Sequence, residues 1–123
     1  MTMKMNMKEW VAETIRAEKK KAAPILSFPG IQITGHTVDE MVRDGHLQAL
    51  CMEAIAKRFP TGAAFSLMDL SVEAEAFGSP VSYSEDEVPT VTAALVHDEE
   101  EAEALKVPEV GAGRTGECVK GIK

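Results

Sequence analysis

The apolar positions of the chain fall at helical spacing in some stretches and in unbroken runs in others. Met7, Trp10, Val11, Thr14 and Ile15 stand at i, i+3, i+4, i+7 and i+8, one face of a helix. Asn6 precedes them and Glu9 follows three residues later, the order of a capping box. Lys19 to Lys21 supply cations where the helix dipole favours them. A helix over residues 7–20 is predicted. Thr37 and Glu40 repeat the T-x-x-E capping pattern. Leu47, Leu50, Cys51, Ala54 and Ile55 then define a buried helical face that Pro60 ends, with Gly45 dividing a short first helix from this longer one.

Two segments read as strands. "ILSF" at residues 25–28 lies between prolines and closes on the Pro29-Gly30 turn signal. "TGAAFSLMD" at 61–69 is a continuous small and apolar run, the pattern of a parallel strand covered on both faces. "IQITGHTVDE" at residues 31–40 reads as irregular, with the Thr37 and Glu40 capping pattern inside it. Ser71 is placed to cap a short helix with Glu73 in its first turn, and Gly78 to end it in the left-handed region. "SPVSY" is extended, and Pro89 confines "SEDEVPTVTAALV" to loop or sheet edge. Asp98 and Glu101 cap a helix to about Leu105, and a last helix opens near Thr115, with the chain stopping inside it. Alternating helices and strands predict an α/β fold, and two or three strands read as the front of a larger domain.

Charge narrows the function. The chain has 123 residues, with 13 basic against 20 acidic side chains and a net charge of -7. That balance disfavours nucleic acid as a partner. No stretch approaches the ~18 apolar residues of a membrane span, and the N-terminus lacks the apolar core of a signal peptide. Two distant cysteines, Cys51 and Cys118, make no disulfide framework, so a reduced cytoplasmic protein is expected.

Few residues carry candidate chemistry. Asp69 ends the apolar run at 61–69. Carbonyl-end positions of parallel strands carry chemistry in α/β folds, yet Asp is also a favoured helix cap, so both readings stand. Glu73 and Glu75, two apart on a helix, point different ways and read as solvated first-turn acids. His36, His46 and His97 stand singly, without zinc-ligand spacing. His36 follows the first strand, where a ligand-facing role is open to it. Cys51 reads as core. Cys118 lies near a helix start, where a lowered thiol pKa is open to it, though structural use is favoured. "GAGRTG" at 111–116 has G-x-G-x-x-G spacing, but Pro108 precedes it and no acidic residue follows at the required distance, so it is not a dinucleotide site. Arg114 within it is a candidate anion contact.

The stretch "FSLMDLSVEAEAFGSPVSYSEDEVPTV" resembles the first barrel strand and following loop of the uroporphyrinogen decarboxylase superfamily, through Asp69, Gly78 and Pro89. "APILSFPG", "LQALCMEAIAKRFP" and "VPEVGAGRTG" are more similar to its corrinoid-dependent methyltransferase branch. The resemblance implies the N-terminal part of a (β/α)8 TIM barrel over residues 23–123, preceded by a helical extension over 1–22. It implies methyl transfer from a methylated corrinoid protein to a thiol such as coenzyme M, with zinc activating the thiol. The family's zinc ligands, a His-x-Cys pair and a later Cys, have no match in this sequence, so no metal ligand is carried over. A companion chain bearing the rest of the barrel and a corrinoid protein are the implied partners. Unpaired strand edges predict dimerisation or aggregation, and activity of this chain alone is not expected. By resemblance Asp69 becomes a pocket carboxylate. Gly30, His36 and Arg114 are the candidate substrate contacts. The decarboxylase branch meets a polycarboxylate substrate with arginines, and the equivalent "SFPGIQITGHTV" has none. A tetrapyrrole decarboxylase and a non-catalytic module derived from the barrel are the alternatives.

Overall fold

The structure, a computed structural model, describes residues 5–122. Helix α1 spans Met7–Arg16, and the Asn6 side chain caps it by accepting from the amides of Lys8 (3.0 Å) and Glu9 (3.5 Å). It is shorter than the spacing predicts, because Ala17 turns extended. The lysines still serve its end. Lys20 folds back and donates to the carbonyls of Thr14 (2.8 Å) and Ile15 (2.7 Å), placing a cation where the dipole is negative. No residue of α1 is buried.

Residues 25–28 form no regular element and join no sheet, which corrects the first strand. The stretch read as irregular is instead helix α2, Gly30–Thr34, ended by Gly35 in the left-handed region at φ 77°. A Cβ on Gly30 would lie 2.7 Å from the Cys51 Cβ and carbonyl oxygen, so only glycine lets α2 press this closely on the following long helix.

Helix α3, Val38–Arg43, carries the complete capping box. Glu40 N donates to Thr37 Oγ1 (3.2 Å), and Thr37 N to the Glu40 carboxylate (2.9 Å). Helix α4, Gly45–Arg58, starts on Asp44, whose carboxylate accepts from the amides of His46 and Leu47. Its buried positions are Gly45, Gln48, Cys51 and Ile55, whereas Leu50 is exposed. The predicted face is therefore rotated, because α2 and a later helix pack on α4 and select the side they cover.

The run at 61–69 likewise forms no ladder, which corrects the parallel strand. Its last part shows one-sided burial instead. Leu67, Asp69 and Ser71 turn inward, while Met68 and Leu70 face out. Helix α5, Val72–Ala76, follows and Gly78 sits at φ 106° beyond it. Strands β1, Val81–Ser82, and β2, Thr90–Val91, pair antiparallel, Val81 opposite Val91 and Ser82 opposite Thr90. These are the segments read as extended and edge. Asp98 caps the acidic helix α6, Glu99–Ala104, through the Glu101 amide at 2.8 Å. Helix α7, Thr115–Lys120, closes at Gly121, so it ends within the chain rather than running past it.

The core gathers Val38, Met41 and Val42 of α3, Cys51 of α4 and Leu67 of the run at 61–69, with Phe28, Ile31 and Tyr83 packed against it. The Val38 amide donates to the Glu85 carbonyl at 2.8 Å and ties the β1–β2 loop to the start of α3. Helix α3 is thus the element that both fills the core and positions the hairpin. Removing its cap with Thr37→Ala is expected to lower unfolding free energy by about 1 kcal/mol, read from the midpoint of urea denaturation.

Candidate functional site

The inward turn of residues 67–71 delivers Asp69 and Ser71 to the same interior point. The residue at 114 reaches them from the other end of the chain. It sits at the start of α7, after a turn with Gly111 at φ 85° and Gly113 at φ 55°, a backbone that favours glycine at both positions. Arg114 Nη1 donates to Asp69 Oδ2 at 2.5 Å, and Nη2 donates to Ser71 Oγ at 2.8 Å. Arg114 Nε donates to Glu75 Oε2 at 2.6 Å. The second Glu75 oxygen accepts from the Tyr83 hydroxyl. Asp69 Oδ1 also takes the Ser71 amide (2.9 Å) and the Ser71 hydroxyl (2.5 Å). The Arg43 guanidinium lies 3.6 Å from the Tyr83 ring centroid and that of Arg114 5.2 Å, so two cations stack on one aromatic ring.

Burial makes this network strong and demanding. Asp69 and Arg114 are 8% and 6% exposed, and Ser71 is 2% exposed. Burial pushes the Asp69 carboxyl upward, but the hydrogen bonds from Arg114 and Ser71 more than reverse this and hold it below its ordinary value. The Arg114 guanidinium loses hydration, yet its bonds to Asp69 and Glu75 hold its pKa above the usual value. Burial, then the bond to Glu75, pushes the Tyr83 phenol up. A carboxylate held this way is a weak base at neutral pH; its strength is in fixing neighbouring groups.

One wall of the network faces a groove of about 500 Å³. Phe28, Met68, Leu70, Val88 and Val91 supply its apolar surface, and Asp69, Ser71, Pro89 and Thr90 complete it. Among the described residues no lysine or arginine lines it. Asp69 is thus among the residues lining the groove, while its carboxylate is bound to Arg114 and Ser71.

The structure brings Asp69 and Arg114 together and leaves Gly30 and His36 elsewhere. Gly30 is buried against α4, and His36 Nδ1 lies 3.4 Å from Glu40 Oε2 on the side of α3. Asp69 caps α5 only indirectly, through the Ser71 amide, and the Ser71 hydroxyl makes no cap bond. Ser71 holds the N-cap position of α5 as the sequence predicts, but its hydroxyl donates to Asp69 and accepts from Arg114 rather than bonding the helix amides. Glu75 is likewise an ion-pair partner rather than a solvated acid, whereas Glu73 is exposed. Burial and the Asp69 charge push the Cys118 thiol up, against the lowered pKa its place near a helix start allowed. Sequence spacing carried no sign of Tyr83 or Arg43, nor of the ion pair that Glu75 makes, because their partners lie on separate elements.

The residues present do not fit zinc. Among the described residues no three His, Cys, Asp or Glu side chains gather round one point. The Cys51 sulfur sits 3.4 Å from Thr34 Oγ1 within the core, and His97 pairs with Glu101. No helix of the described residues is long and apolar enough to cross a membrane.

Residues 11–123 match the uroporphyrinogen decarboxylase (URO-D) family, and the chain belongs to it. No curated protein and no solved structure matches the chain.

Asp69→Asn leaves the Arg114 charge buried with Glu75 alone, and is expected to cost about 3 kcal/mol in urea unfolding. The pH dependence follows from the lowered folded-state pKa. The native state holds fewer protons than the unfolded one between the two values, so the contribution of Asp69 is full above the ordinary aspartate value of about 3.9 and is lost as pH falls through the lower one. Acid titration of stability should therefore be shallower in the Asp69→Asn variant than in the parent over that window.

Proposed function

We propose that the chain is the N-terminal portion of a methyltransferase of the uroporphyrinogen decarboxylase family. Its reaction is transfer of a methyl group from a methylated corrinoid protein to a thiol such as coenzyme M. In this reading residues 23–123 form the first part of the family's barrel, Asp69 is a pocket carboxylate, and a companion chain carries the His-x-Cys portion. The observation that supports it is the lining of the groove beside Asp69. It is apolar. Among the described residues no lysine or arginine lines it, and the one buried guanidinium behind it is committed to Asp69, Ser71 and Glu75. A tetrapyrrole with many carboxylates needs guanidinium or ammonium partners, and the stretch from Ser27 to Val38 contains neither arginine nor lysine. A methyl group and its apolar surroundings need none.

Within that reading the chain's own residues do three things. Arg114 and Ser71 fix Asp69 as a carboxylate and set its direction. Met68, Leu70, Val88 and Val91, themselves exposed, give one side of the reacting groups an apolar surface. Hairpin β1–β2, tied to α3 by the Val38–Glu85 bond, holds the opposite wall in place. Activation of the thiol belongs to residues outside this chain, and purified chain is expected to hold far less than one zinc per molecule by elemental analysis.

The family description itself favours the second reading, decarboxylation of a tetrapyrrole. The two separate in one experiment. The full chain is mixed with a polypeptide carrying the His-x-Cys portion of a family barrel, with zinc present. One sample receives methylcobalamin and coenzyme M, and the other receives uroporphyrinogen. The expected result is loss of the methylcobalamin absorbance faster than with either polypeptide alone, and an unchanged tetrapyrrole. Release of carbon dioxide from uroporphyrinogen would overturn the proposal, and so would unchanged methylcobalamin.

A further inference from the structure

The seam between α4 and α7 contains the least satisfied side chain in the described structure. Gln48 is 1% exposed, and neither its amide nitrogen nor its amide oxygen has a hydrogen-bond partner. Buried polar groups are nearly always paired, and each one left unmade costs about 1–3 kcal/mol. The orphan lies under α7. A Cβ on Gly121 would stand 3.2 Å from Gln48 Oε1 and Cβ. The same seam is held close by glycine on the other side, since a Cβ on Gly45 would meet the Glu117 carbonyl at 2.5 Å and the Lys120 Cβ at 2.7 Å.

Little apolar burial holds α7 in return. None of its residues is buried, Val119 is 53% exposed and Ile122 beyond it 66%. What attaches it is polar and sits at its N-cap and in its first turn. Arg114 at its start grips Asp69, Ser71 and Glu75. The Glu117 carboxylate accepts from the Gly45 amide at 3.0 Å. An element with few buried apolar contacts and an unmet amide beneath it opens at low free energy.

We propose that α7 is a detachable clasp on the Asp69 site. When it lifts from α4, the Gln48 amide gains water and Arg114 withdraws from Asp69, so one movement relieves the buried amide and frees the carboxylate. When it closes, the carboxylate is locked and the amide is buried again. Gln48 biases the equilibrium toward opening, and the Arg114 ion pairs and Glu117 bias it toward closure. The device rests on the reading of Asp69 as the residue facing the groove, but its existence is a property of the α4–α7 seam and is measured without any substrate.

Amide hydrogen exchange of the full chain, followed by mass spectrometry, tests it. Peptides covering 115–121 are expected to exchange well before those covering α3 and the Cys51 turn of α4. Gln48→Met keeps the length of the side chain and removes the orphan amide. It should slow exchange over 115–121 by about tenfold, the equivalent of roughly 1.4 kcal/mol, and raise the melting temperature. Glu117→Gln should speed exchange over 115–121 and leave 38–42 unchanged. The clasp is refuted if 115–121 exchanges as slowly as the α4 core, or if Gln48→Met leaves its exchange unchanged or faster. Either result is independent of whether the complete enzyme transfers methyl groups.

Discussion

Arg114 reaches its carboxylate partners across 39 and 45 residues of chain, and the interior around the site depends on that reach. A guanidinium this deeply buried has to satisfy all its nitrogens or not be buried at all. Each of the three finds an acceptor, and the acceptors come from two neighbouring short segments. Asp69 and Ser71 lie in the turn before α5, Glu75 lies on α5, and Tyr83 joins through Glu75 from the hairpin. The pair is therefore poor evidence for stability taken alone, since desolvation opposes it. It does specify which segments must meet and in what orientation.

The geometry also explains why so small an apolar cluster suffices to place the site. Val38, Met41, Val42, Cys51 and Leu67 make a core on one side, and the ionic network takes over on the other. Two glycines allow the backbones to close on α4 from both directions, Gly30 from α2 and Gly45 opposite α7. Side chains at either position would push an element outward and carry Arg114 or Phe28 away from the groove. Asp69 is thus held between a packed half and a polar half.

The local signals of the chain were informative where the physics is local. Asn6, Thr37 with Glu40, and Asp98 cap the helices their spacing indicates, because a cap bond spans only two or three residues. Gly78 adopts the positive φ expected beyond α5. The hairpin falls where Pro89 confined the chain to an edge. The strands failed for the opposite reason. An apolar run says that a segment wants cover, but a ladder needs a neighbour from elsewhere in the chain, and residues 25–28 and 61–69 find none among the described residues. Burial at 67–71 alternates, which a continuous run conceals. In α4 the apolar residues spread nearly round the helix, so period alone could not choose between Leu50 and Gln48.

By itself the sequence determined the capped starts of α1, α3 and α6, the positive φ of Gly78, the acidic character and the family, through residues that act on their immediate neighbours or recur as a set. It also singled out Asp69, without deciding between cap and pocket. Only the tertiary structure decided that Asp69 is both buried and bound, that Glu75, Ser71 and Tyr83 share its charge network, and that Gln48 lies unmet beneath α7. Those outcomes depend on which distant segments come together, and a guanidinium in a glycine-rich turn carries no mark of the carboxylate it will meet.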